Sequence, residues 1–118
     1  MGRKILVTGA DGYIGQKLGE VLSHSEYRAT GTVRRTKPSN NYSGYETLIA
    51  TGDINGQTPW SAALQGIDCV VHLAGSAHKY GQNQFNIAAE HKATNTHGTK
   101  NLAEQCVRYG VKRLIFIS

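Results

Sequence analysis

The sequence predicts an α/β fold with a doubly wound parallel sheet, and three observations carry that prediction. Apolar, β-prone runs alternate with helical stretches along the chain, a pattern that implies right-handed crossovers. One run, Asp68-Cys69-Val70-Val71-His72-Leu73, is nearly continuously apolar, as a strand buried on both faces requires. The first run, Lys4-Ile5-Leu6-Val7-Thr8, enters a loop with glycines at 9, 12 and 15, and a helical pattern follows at once. Glycines in that strand–loop–helix setting have separate uses. One permits a tight turn, a second lets backbone approach a pyrophosphate, and a third lets the helix pack closely on the strand. The helix N-terminus then offers N–H groups and the positive end of its dipole to phosphates. The spacing is G-x-x-G-x-x-G, not G-x-G-x-x-G, and taken alone it also fits an ordinary glycine-rich turn.

The elements follow in order. Strand one is expected over Lys4–Thr8 and helix one over Ile14–His24, with Ile14, Leu18, Val21 and Leu22 on one face. Strand two covers Arg28–Val33 and ends at Arg34-Arg35. A polar loop from Pro38 to Gly44 leads to a third strand, Tyr45–Ala50. Thr58-Pro59 reads as an N-cap with proline at the first helical position, opening a short helix through Trp60, Ala63 and Leu64 that ends at Gly66. Strand four is Asp68–Leu73, and Ala74–Gln82 forms a loop. A long helix, Gln84–Tyr109, closes at Gly110, and Arg113–Ser118 is strand five. The expected strand order is 3-2-1-4-5, a Rossmann-like sheet.

Bulk properties fit one small globular domain. The chain has 118 residues, 39% hydrophobic and 18% charged, too apolar for disorder. No apolar run approaches membrane-spanning length, and the start of the chain does not read as a signal peptide. The two cysteines, Cys69 and Cys106, fall on a buried strand and a helix. They read as core residues in a reducing, cytoplasmic compartment. The five histidines show no i, i+4 pairing and no Cys-x-x-Cys exists, so no metal is expected. The net charge of +5 suits nucleic acid or a multiply phosphorylated ligand. The cations are scattered, with small groups at Arg34-Arg35-Thr36-Lys37 and Lys112-Arg113, and no aromatic–basic sheet pattern appears, which disfavours nucleic acid.

Five motifs together resemble one family. Thr8-Gly9-Ala10-Asp11-Gly12-Tyr13-Ile14-Gly15 looks like T-G-x-x-G-x-x-G, and Gly52-Asp53-Ile54 looks like a G-D-[IVL] element after strand three. Asp68-Cys69-Val70-Val71-His72-Leu73-Ala74-Gly75 looks like D-x-V-x-H-x-A-[AG]. Asn95-Thr96-His97-Gly98-Thr99-Lys100-Asn101-Leu102 looks like N-x-x-G-[ST]-x-N-[LV], and Val111 to Ser118 looks like V-[KR]-R-[FL]-[IV]-x-x-S. In that order they resemble the N-terminal part of the extended short-chain dehydrogenase/reductases, also called the NAD-dependent epimerase/dehydratase family. The texture around Ala77-His78-Lys79 and strand five is most like nucleotide-sugar 4-epimerases.

The resemblance implies roles for particular residues. The backbone of Gly9, Asp11, Gly12, Tyr13 and Ile14 would hold a pyrophosphate. Asp53 and Ile54 would meet adenine, Asp53 accepting from its exocyclic amine. Leu73, Ala74 and Gly75 would line the ribose and nicotinamide side, and Asn95 would brace the active site. Taken alone, Asp53 is equally a loop turn residue and Asn95 a solvated helix position. Family members that prefer NAD usually carry an acidic residue at the end of strand two. Here Thr32-Val33-Arg34-Arg35 offers no carboxylate but two guanidiniums, which can pair with a 2′-phosphate. NADP is therefore favoured over NAD, the alternative being that Arg34 and Arg35 are solvated loop charges.

The family's catalytic Tyr-x-x-x-Lys follows strand five. The chain's one match to that spacing, Tyr13 and Lys17, lies on the glycine loop and first helix, the wrong place for hydride chemistry. Ser118 is expected to be adjacent to the catalytic serine, not to be it. The chain is thus expected to be residues 1–118 of a longer protein, a dinucleotide-binding domain inactive by itself, with an exposed fifth strand prone to pair two copies into a homodimer. The intact protein would act on a nucleotide sugar. An NADPH-dependent carbonyl reductase and a non-catalytic dinucleotide sensor are the alternatives.

Overall fold

The computed structural model describes residues 2–35, 44–74 and 84–117, with residues 84–95 as backbone only. Five strands form one parallel sheet: β1 (Lys4–Thr8), β2 (Arg28–Val33), β3 (Thr47–Ala50), β4 (Cys69–His72) and β5 (Arg113–Phe116). Three helices accompany them: α1 (Tyr13–Ser23), α2 (Ser61–Leu64) and α3 (Gln84–Arg108). The strand order is β3-β2-β1-β4-β5, as the alternation of elements implied. The central strand β1 aligns Thr8 with Thr32 of β2 on one side and with His72 of β4 on the other. Because every pairing is parallel, the loops leaving β1, β2, β3 and β4 all emerge along one edge. Chain direction across the sheet reverses at β1, where open α/β sheets form their ligand crevice.

Side chains alternate across the sheet. Leu6 and Val70 face one side and pack with Trp60, Leu64, Leu102 and Cys106 of the α2–α3 layer. Val7 and Ala29 face the other and pack with Leu22, Leu18 and Tyr45. Leu6, Leu64 and Leu102 are fully buried, each stabilising the fold by about 1.5–3 kcal/mol. The long helix ends as its glycine foretold. Gly110 takes φ +75°, its N–H donates to Val107 O (3.3 Å), and the Val111 N–H reaches back to Cys106 O (2.9 Å), closing the last turn in a Schellman motif.

Four local expectations need correction. The buried face of α1 is Gly15, Gly19 and Leu22, whereas Ile14 and Val21 are exposed. Small residues let the helix approach the sheet so closely that contact shifts to the glycine stripe. Strand three begins at Thr47, not Tyr45; the Tyr45 side chain packs in the α1 layer, where its hydroxyl donates to Gly15 O. Burial pushes that phenol up to about 12. Thr58 does not cap α2. The helix starts after Trp60 with no side-chain cap, and the Thr58 hydroxyl closes the preceding loop instead. Strand five stops at Phe116. Its edge leaves Ile115, Phe116 and Ile117 exposed, and Ser118 lies outside the described residues.

Candidate functional site

The three loop glycines serve three different purposes. Gly9 leaves β1 with φ +70°, and a Cβ there would sit 3.0 Å from the Ala74 backbone, so only glycine permits both the turn and the approach to the β4 exit. A Cβ on Gly15 would collide with the Gly9 carbonyl and come within 2.8 Å of Ala10 Cα. That contact is what brings the first turn of α1 onto the loop. Gly12 differs, because a Cβ there would meet only Gly9 O, at 3.4 Å. Its outer side is open.

Hydrogen bonds hold this loop in place. Ala10 N–H donates to Thr32 O (3.0 Å), and Gly12 N–H donates to Gly9 O (3.0 Å). The Gln16 side-chain amide donates to Asp11 O (2.7 Å). Gly12 is the N-cap of α1 and brings no capping side chain, and no acidic residue occupies the first helical turn. The N-terminal N–H groups and the positive end of the helix dipole are therefore left for an anion. Tyr13 and Ile14 supply backbone there while their side chains stand exposed.

A second cluster joins β1 to β4. Thr8 Oγ1 accepts the N–H of Leu73 (3.0 Å) and of Ala74 (3.1 Å), and lies 2.7 Å from His72 Nδ1. With its lone pairs so engaged, the hydroxyl donates its proton to Nδ1, which assigns the neutral ring's hydrogen to Nε2. Burial lowers the His72 pKa below 6.5, in keeping with that neutral form. The His72 ring also meets Phe116 at 5.7 Å between centroids. Neither Thr8 nor His72 was assigned a role from the sequence. The available signal was a histidine inside an otherwise apolar strand, opposite a threonine that precedes the first glycine.

The remaining expected residues fall as follows. Leu73 and Ala74 lie beside Gly9, with their N–H groups spent on Thr8 and not free for a ligand. Arg34, Arg35 and Asp53 are exposed at the ends of β2 and β3, on the same edge as the glycine loop. Arg34 Nε pairs with Asp53 Oδ1. The end of strand two thus has a carboxylate after all, supplied by the loop that follows the neighbouring strand. Ile54 packs against the core and against Gly98 of α3, where an added Cβ would meet Ile54 Cγ2 at 2.9 Å. Gly75 lies outside the described residues, and Asn95 is placed only as α3 backbone.

The loop carrying Asp53 is braced by Thr58, which the sequence marked only as a helix cap, and by Asn101 and Gln105 of α3, whose part in it the sequence did not signal. Thr58 Oγ1 donates to Asp53 O (2.9 Å) and accepts the Asn55 N–H (2.8 Å). The Thr58 carbonyl accepts from Asn101 Nδ2 (3.0 Å) and Gln105 Nε2 (3.2 Å) of α3. Among the described residues no cluster of metal-ligating side chains exists, and no helix is long and apolar enough to cross a membrane. A phosphate-bearing dinucleotide fits what is present: an open-sided glycine cradle, an uncapped helix N-terminus and two guanidiniums one strand away.

Comparison with known proteins places this geometry. Residues 5–118 match the model of the NAD dependent epimerase/dehydratase family. A UDP-glucose 4-epimerase from Vibrio cholerae is 37% identical over 119 residues, covering 100% of this chain and 35% of that protein. The chain thus spans about a third of that relative's length. The structure of MoeE5 in complex with UDP-glucose and NAD superposes with a TM-score of 0.75 at 30% identity, over 96% of this chain and 35% of that one. A UDP-N-acetylglucosamine 4-epimerase from Bacillus cereus shares the fold, with a TM-score of 0.72 at 23% identity over 98% of this chain and 35% of its own. The chain belongs to the NAD dependent epimerase/dehydratase family.

Proposed function

We propose that this chain is the dinucleotide-binding portion of a nucleotide-sugar epimerase of the UDP-glucose 4-epimerase type. The observation that carries the reading is the open side of Gly12 at the N-terminus of α1, at the point where the sheet reverses direction. Likeness to the Vibrio cholerae epimerase over the whole chain supports the sugar-nucleotide class. The backbone of Gly9, Asp11, Gly12, Tyr13 and Ile14 would receive the pyrophosphate. Asp53 and Ile54 would border the adenine, and Leu73, Ala74 and Gly75 would border the nicotinamide side. Arg34 and Arg35 favour the 2′-phosphorylated form, NADP over NAD. A dinucleotide held here would supply a nicotinamide ring able to take up and give back a hydride at a sugar carbon. Within this chain the residues bind and orient. The acid–base pair is proposed to come from the remainder of a longer protein, with Asn95 bracing it from α3.

Calorimetric titration with NADP and NAD tests the reading. Saturable binding of NADP at one site, tighter than NAD, is expected. Failure of both dinucleotides to bind would overturn it, and a clear preference for NAD would overturn the part played by the arginines.

A further inference from the structure

The ends of β2 and β3 hold an arrangement that pyrophosphate binding does not use. Ladder pairing continues beyond both strands: Thr51 N–H donates to Val33 O (2.9 Å) and Gly52 N–H to Arg34 O (3.1 Å). Arg34 and Asp53 are thereby set side by side, and their side chains form an ion pair while 59% and 63% exposed. A pair so exposed contributes little to folding stability. The loop is held instead through the Asp53 carbonyl, which accepts from Thr58, and Thr58 is tied in turn to Asn101 and Gln105 of α3. Asp53 therefore presents a carboxylate at a fixed place, and its side chain is free of structural duty.

We propose that Asp53 is a specificity-determining residue, which holds Arg34 in the ion pair and so moderates the choice between 2′-phosphorylated and 2′-hydroxyl dinucleotide. The proposal rests on the dinucleotide reading of the glycine loop. Arg34 offers its remaining N–H groups to a 2′-phosphate, while the adjoining carboxylate, on the adenine side of the ion pair, repels that phosphate. In a water-like medium, one like charge close to a phosphate dianion weakens its binding on the order of tenfold. Preference for NADP thus survives in the native chain but is tempered.

The test compares NADP and NAD affinities by calorimetry for the native chain, Asp53→Asn and Arg34→Gln, each checked for native folding by circular dichroism. Asp53→Asn is expected to raise the NADP-to-NAD affinity ratio about tenfold, and Arg34→Gln to lower it by a similar factor. Asp53→Ser removes the same charge with a different shape and must move the ratio in the same direction as Asp53→Asn. The Asp53→Asn shift must shrink with added salt, as an exposed charge effect does. A purely structural role would weaken both dinucleotides equally and leave the ratio unchanged. An unchanged ratio with both dinucleotides bound would overturn the proposal and leave the glycine-loop reading intact. Absence of any dinucleotide binding to the native chain would overturn both.

Discussion

Replacing Thr8 with valine tests the junction that holds the glycine loop against β4. Valine keeps the branched shape but lacks the hydroxyl, so three polar groups lose a partner at once. These are the N–H of Leu73 at 3.0 Å, the N–H of Ala74 at 3.1 Å and His72 Nδ1 at 2.7 Å. Thr8 is 0% and His72 3% exposed, so water cannot replace the hydroxyl at Nδ1 without rearrangement. A buried polar group left unpaired costs about 1–3 kcal/mol. The two backbone groups are half-buried and belong at the low end of that range. The sum is about 3–5 kcal/mol, against a total stability of about 5–15 kcal/mol for a domain. Urea unfolding followed by circular dichroism reads the loss directly. Thr8→Ser, which retains the hydroxyl and removes one methyl, is expected to lose only about 1 kcal/mol. A Thr8→Val chain within about 1 kcal/mol of the native one would show that the three bonds contribute little net stability and would refute this account.

Two further outcomes follow from the same region. The pKa of His72 is lowered by burial from 6.5, so as pH falls the unfolded chain takes up this proton first. Stability contributed by the neutral ring is complete above about pH 6.5 and is lost as pH falls toward the folded pKa, with a slope of at most about 1.4 kcal/mol per pH unit. Urea midpoints between pH 7.5 and 5 would read this trend. His72→Asn, which keeps an acceptor near the Nδ1 position, is expected to flatten it, and an equally steep trend in that variant would assign the dependence elsewhere. Gly15→Ala forces a Cβ onto the Gly9 carbonyl and to 2.8 Å from Ala10 Cα. Because the obstacles are backbone, α1 must move, at about 1–3 kcal/mol. Thermal melting would detect the loss, and an unchanged midpoint would mean that the close approach is not needed.

Strand order, the parallel sheet and the glycine cradle were legible in the chain because they rest on local chemistry. Runs such as Leu6-Val7 and Val70-Val71 have period and composition that suit buried strands whatever their partners. Glycines at 9 and 110 announce backbone turns that other residues resist. The five motifs, read in order, placed the family. What lay beyond the sequence were contacts made across distance. That Gly15 and Gly19, not Ile14 and Val21, form the buried face of α1 depends on how closely the helix settles on the sheet. That Thr58 braces Asp53 instead of capping α2 depends on Asn101 and Gln105 arriving from α3, more than forty residues later. The carboxylate missing at the end of strand two comes from the loop after β3, because pairing that continues past both strands brings Asp53 beside Arg34. Thr8 and His72 are 64 residues apart, and only the register of β1 against β4 makes their side chains partners. Local propensity is a property of neighbouring residues, whereas pairing of polar groups between strands depends on register and helix placement, which the whole fold decides.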